Sequence, residues 1–231
     1  MKKIKNRLAA LLVIGVLAVT LTACSSIGQE LDVIGKGAKE SFAEIVTNAE
    51  NLVSQEDAYD GWALESPDGS ARFIWSGDWS ASGSVDALLE LDAQPFIDAG
   101  LEVEKLPESI IYADSMLRIG IDLGESSPEG SDGSTAVAAF EQIVDARRDL
   151  IGYHSALGHF GVTIGDGNAI EWAQDMQDND KDLVFALNPQ PFIDAGVDVE
   201  AIEGWTFAQV SMHMDGKDVQ VDKLLKPSDL G

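Results

Sequence analysis

One stretch of seven residues occurs twice. Gln94-Pro95-Phe96-Ile97-Asp98-Ala99-Gly100 returns unchanged as Gln190-Pro191-Phe192-Ile193-Asp194-Ala195-Gly196, an offset of 96. An identity of this length within 231 residues predicts a duplicated unit. The surroundings agree. Ala38, Phe42, Ile45, Val46, Leu52 and Val53 recur at an offset of 98 as Ala136, Phe140, Ile143, Val144, Leu150 and Ile151. Asp166-Gly167 repeats Asp68-Gly69, and Trp172 repeats Trp75. A period this long excludes a solenoid of short repeats. The expected fold is α+β, a tandem duplication of a unit of about 95 residues, large enough to hold a core of its own. Unit one is read as residues 38–123, unit two as 134–231, and 124–133 as a linker. The linker carries no apolar side chain except Pro128, so nothing in it drives burial.

Within each unit the same order is predicted. Apolar residues at spacings of three and four from Ala38 to Val53, and from Ala136 to Ile151, make an amphipathic helix. A small, mostly antiparallel sheet follows. Ser66-Pro67-Asp68-Gly69-Ser70 joins two apolar runs as a hairpin turn. The heptapeptide forms a short helix before the last strand. Pro95 and Pro191 suit its first turn, Phe96 and Phe192 pin it to the core, and Gly100 and Gly196 suit a left-handed end. Asp98 and Asp194 oppose the helix dipole there. Their expected roles are hydrogen bonds to downstream backbone N–H groups, or contact with a partner or ion.

The first 23 residues read differently. Lys2, Lys3, Lys5 and Arg7 precede an apolar run from Leu8 to Thr20, too short to span a bilayer comfortably. The run ends in Leu21-Thr22-Ala23-Cys24, which resembles the lipobox of bacterial lipoproteins. That resemblance implies a diacylglyceryl thioether on Cys24, cleavage before it, and an extracytoplasmic protein held to a bacterial membrane by lipid. Residues 24–37 contain Gly28, Gly35 and Gly37 and few large apolar groups, so a flexible tether is expected. Its extended reach would be about 45 Å. Cys24 is the sole cysteine, which excludes an intramolecular disulfide.

Charge limits the partners. Net charge is −25, and all 40 acidic residues follow Cys24 with only eleven of the 15 basic ones, a balance of −29. Such a surface repels nucleic acid and favours a basic protein, a cation or a neutral glycan. Two constellations invite a ligand. Trp75, Asp78 and Trp79 offer indole faces for a sugar ring with a carboxylate for its hydroxyls. Asp175, Asp178 and Asp180 crowd one loop and offer oxygens to calcium, without the Gly and Glu that complete an EF-hand. No cofactor other than such a calcium ion is expected. His154, His159 and His213 lack helical metal-ligand spacing, and His154 and His159 are expected to straddle the end of the second helix. The reading favoured is a non-enzymatic binding or interaction module. A hydrolase using two carboxylates and a solute-binding transport component are the alternatives.

Overall fold

The structure is a computed structural model that describes residues 24–79, 85–124, 126–154, 157–175, 181–214 and 217–230. It is α+β, with two six-stranded antiparallel sheets and, among the described residues, four α-helices. The first half runs α1 (Cys24–Asn48), β1 (Val53–Glu56), β2 (Gly61–Glu65), β3 (Ala71–Ser76), β4 (Ala87–Asp92), α2 (Gln94–Asp98), β5 (Ile110–Ala113) and β6 (Met116–Ile121). The second half runs α3 (Ala136–Ala146), β7 (Ile151–His154), β8 (His159–Thr163), β9 (Ala169–Ala173), β10 (Leu183–Leu187), α4 (Gln190–Asp194), β11 (Thr206–Met214) and β12 (Lys217–Ser228). Strand order is β1-β2-β3-β4-β6-β5 in one sheet and β7-β8-β9-β10-β12-β11 in the other, the same topology twice. Two strands, not one, follow each heptapeptide helix. None of the described helices is long and apolar enough to cross a membrane.

The sheets stay separate, yet one continuous core joins them. Each long helix covers the other half's sheet. α1 packs on β7, β8 and β9, whereas α3 packs on β2 and β3. The two helices lie antiparallel against each other: Gly35 faces Val144, Lys39 pairs with Asp145 at 2.6 Å, and Phe42 stacks on Phe140 with ring centroids 3.7 Å apart. Trp75 and Trp172 flank that stack edge-on, at 5.4 Å and 5.3 Å from Phe42. The exchange fixes both indole N–H groups. Trp75 Nε1 donates to the Ala136 carbonyl at 3.0 Å, and Trp172 Nε1 to Ser41 Oγ at 2.9 Å. Buried donors need such partners, and here each comes from the other half.

The heptapeptide owes its identity to a second crossing. Phe96 and Phe192 meet at 4.9 Å. Glu102 N donates to the Ala195 carbonyl and Asp198 N to the Ala99 carbonyl, both at 2.8 Å. This reciprocal pair brings Gly100 (φ +103°) and Gly196 (φ +94°) together, where a Cβ on either would stand 3.1 or 3.2 Å from the other's carbonyl oxygen. Only glycine meets both demands, left-handed backbone and close approach. Asp92 Oδ1 accepts from Gln94 N, and Asn188 Oδ1 from Gln190 N, at the two helix starts.

Several expectations are corrected. Residues 24–37 are not a flexible tether but the first turns of α1. Gly35 and Gly37 are contact glycines: a Cβ at Gly37 would sit 2.5 Å from the Phe160 ring. The helix stripes run too far, because Val53 and Ile151 leave the helix and begin β1 and β7 opposite Leu64 and Val162. The linker is packed: Gly133 lies against Gly77 with no room for a side chain on either, and its carbonyl accepts from Trp62 Nε1 at 3.3 Å. Hydrogen bonds, not apolar burial, order it. Asp98 and Asp194 do not bind downstream backbone; each accepts from the side chain four residues earlier, Gln94 or Gln190, at 2.8 Å.

Candidate functional site

The joint segment and the near end of the first sheet border an open cavity of about 450 Å³. Its lining is polar: Gln55 from β1, Asp60 and Trp62 at the start of β2, Asp78 after β3, and Ser127 and Asp132 from the joint. The local chemistry explains the shape. Asp60 takes a left-handed conformation (φ 46°), which turns the chain into β2, and its carbonyl accepts from Gly77 N at 3.0 Å. Ser127 Oγ accepts from Trp79 N at 2.7 Å and donates to Asp78 Oδ1 at 3.3 Å, so it ties the joint to the end of β3. Gln142 Nε2, on α3, donates to the Gly77 carbonyl at 3.0 Å. Asp132 accepts from Ser134 N at 2.9 Å, and the Ser134 hydrogen bonds hold its carboxyl below the ordinary carboxylate range. It is therefore ionised at neutral pH. The volume falls in the range of small-molecule sites, but the lining is less apolar than most.

The second half has no equivalent lining. The register that pairs β1 with β2 and β7 with β8 puts Tyr153 where Gln55 stands and Phe160 where Trp62 stands. Gly158 takes the place of Asp60, on the same left-handed backbone (φ 68° against 46°). An amide, a carboxylate and an indole N–H are thus present once in an otherwise twofold scaffold.

Of the residues singled out from sequence, only Asp78 lines this cavity. Trp75 is 0% exposed and Trp79 is 4% exposed, so neither offers a face to a sugar. Asp175 lies exposed just beyond β9, whereas Asp178 and Asp180 lie outside the described residues. Their neighbour Asp182 is buried and accepts from Leu230 N at 3.0 Å, as Asp86 does from Leu123 N at 2.8 Å, which is a structural role in both halves. Cys24 begins α1. Pro95 and Pro191 sit in the first turns of α2 and α4, and Phe96, Phe192, Gly100 and Gly196 meet at the crossing between halves. Among the described residues no group of His, Cys, Asp or Glu is placed to hold a metal ion.

Two features escaped the sequence reading. Trp62 and Gln55 gave one signal, a mismatch between the halves where the flanking positions agree. His154 and His159 do not straddle a helix end. They face each other across β7 and β8, and His154 Nδ1 stands 3.2 Å from Glu171 Oε2. Burial pushes the His159 imidazole below its ordinary value, against the opposing pull of Glu171. Compared with known protein families, curated proteins and solved structures, the chain matches none.

Proposed function

We propose that this chain is a lipid-anchored, extracytoplasmic binding module of bacterial origin, built by duplication of a unit of about 95 residues, a size able to fold around one core. The lipobox-like Leu21-Thr22-Ala23-Cys24 supports the anchor. Identical strand order and reciprocal contacts of the heptapeptides support the duplication. The ligand site is the polar cavity at the joint. The observation that carries this reading is its asymmetry. Gln55, Asp60 and Trp62 border the cavity in the first half, where the second has Tyr153, Gly158 and Phe160; Trp62 also ties the joint through Gly133, so Gln55 and Asp60 carry the argument. Three carboxylates, an amide and hydroxyls select a ligand rich in hydrogen-bond donors, a hydroxylated glycan fragment or an organic cation. The protein binds it without turnover.

The test is a transplant. Gln55→Tyr, Asp60→Gly and Trp62→Phe, made together, give the first half the residues of the second. Binding to a glycan array and to a panel of polyamines is measured for wild type and variant. Specific binding lost in the variant, with the melting temperature nearly kept, supports the site. Wild-type binding retained by the variant, or no binding of either class by wild type, overturns it.

A further inference from the structure

We infer that the body is set on the bilayer by a stiff helix, and that the cavity is thereby held at the far, solvent-facing end of the molecule. This rests on the lipid anchor proposed above. The argument starts at Cys24, which is the first residue of α1 rather than the head of a loose segment. From Asp32 onward that helix is fixed to the second half. The Asp32 carboxylate accepts from the Arg148 guanidinium. Ile34 packs on the core, Gly35 lies on Val144 and Gly37 on the Phe160 ring. Eight residues separate Cys24 from Asp32, about 12 Å at the rise of an α-helix. The flexible reach of about 45 Å that the glycines suggested is thus lost.

The direction of the helices then orients the body. α1 and α3 are antiparallel, so the anchored end of α1 meets the end of α3, where Arg147 and Arg148 follow Ala146. The cavity belongs to the other end of this pair, beside the start of α3, where Ser134 precedes the capping Thr135. Charge follows the same axis. Lys36, Lys39, Arg147 and Arg148, four of the eleven basic residues after Cys24, stand at the anchored end. They are paired with Glu40, Asp145, Asp149 and Asp32. That end, with Asp122 also beside Arg147, is therefore less acidic than the chain as a whole, and it meets anionic headgroups with less repulsion than the rest of the surface would. The acidic cavity, with Asp60, Asp78 and Asp132, is carried away from them.

The experiment uses the full chain, purified with its native lipid and reconstituted in vesicles of phosphatidylethanolamine and phosphatidylglycerol. A thioether at Cys24 leaves an introduced cysteine as the sole thiol. A fluorophore is placed at Val33→Cys, exposed on α1, or at Glu129→Cys, exposed in the joint beside the cavity. Quenching by a headgroup-labelled lipid is expected to be several-fold stronger at position 33 than at 129. A long Gly-Ser run inserted after Ser26 should remove most of that difference. Equal quenching at the two positions in the uninterrupted chain, with lipid confirmed by mass spectrometry, overturns the stiff mounting and leaves the anchor standing. A bare thiol at Cys24 overturns both.

Discussion

The two halves share their inner surfaces and differ on their outer ones. Toward the core, Phe42 answers Phe140, Trp75 answers Trp172 and Phe96 answers Phe192, all at most 1% exposed. On the outer faces the correspondence fails. In the first sheet Glu90, 1% exposed, receives Arg72 from β3 and Arg118 from β6, and Arg72 also reaches Glu56 at 2.9 Å. At the same register the second sheet has Ala169, Ala186 and Leu225. At this register one half carries an ion network and the other small and aliphatic groups; beside it the roles reverse, with Ala63, Ile74 and Leu88 clustered in the first sheet and Glu171, beside His154, standing in the second where the first has Ile74. The difference teaches where the fold's demands end. Residues on the twofold crossings must each fit their counterpart in the other half; residues facing away meet no such demand.

Breaking the shared part should cost most. Phe42→Ala removes one ring of the central stack and is expected to destabilise the protein by about 4 kcal/mol. A single denaturation transition should persist, because the stack belongs to both halves; two separate transitions would show that the halves are independent. Next comes the network that only the first half has. Glu90→Ala removes the carboxylate that Arg72 and Arg118 share and leaves them Glu56 and Asp114, at a cost of about 2 kcal/mol, reduced because both guanidinium groups also reach solvent. Arg72→Ala, Glu90→Ala and Arg118→Leu together supply the second half's residues and should recover most of that loss in urea titrations.

Gly100→Ala sharpens the comparison at the heptapeptide. It forces a side chain into left-handed backbone against the Gly196 carbonyl and should cost about 2 kcal/mol. Gly130→Ala also has positive φ (+79°), but no atom stands within 4 Å of the added Cβ, so it should cost less. The smallest effect concerns pH. His159 is buried with its pKa lowered, and Gly61 is its counterpart in the first sheet. The unfolded chain takes up the proton first as pH falls below about 6.5, while the native state resists it. Stability should therefore decline from that point toward the lowered native value, by at most about 1.4 kcal/mol per pH unit for one proton. His159→Gln should flatten the melting temperature between pH 7.5 and 5.

Much of the scaffold is legible in the residues. The Asp68-Gly69 and Asp166-Gly167 turns, the left-handed Gly100 and Gly196 and the buried faces of both long helices follow from local chemistry. Periodicity says which face of a helix is buried, not what buries it, and so the exchange of α1 and α3 between sheets left no trace in the stripe. Val53 and Ile151 satisfy a helical stripe and a strand equally well, which hid β1 and β7. Gly35 and Gly37 have the composition of a tether, but packing explains their missing side chains: a Cβ at Gly37 would run into the Phe160 ring, and one at Gly35 would press on a Val144 methyl. The site was less legible. Trp75 and Trp79 have the residue types of a sugar platform, but core indoles look the same in sequence. Trp62 was distinguishable only by its mismatch with Phe160.

The exchange of helices is the claim on which the rest depends, and a pair of double-mutant cycles reads it directly. Ser41 on α1 is combined with Trp172 of the second sheet, and separately with Trp75 of the first, through Ser41→Ala, Trp172→Phe and Trp75→Phe. The hydrogen bond from Trp172 Nε1 to Ser41 Oγ predicts a coupling of about 1 kcal/mol in the first cycle and near zero in the second. Coupling of Ser41 to Trp75 with none to Trp172 would place α1 on its own half's sheet and contradict the architecture described here.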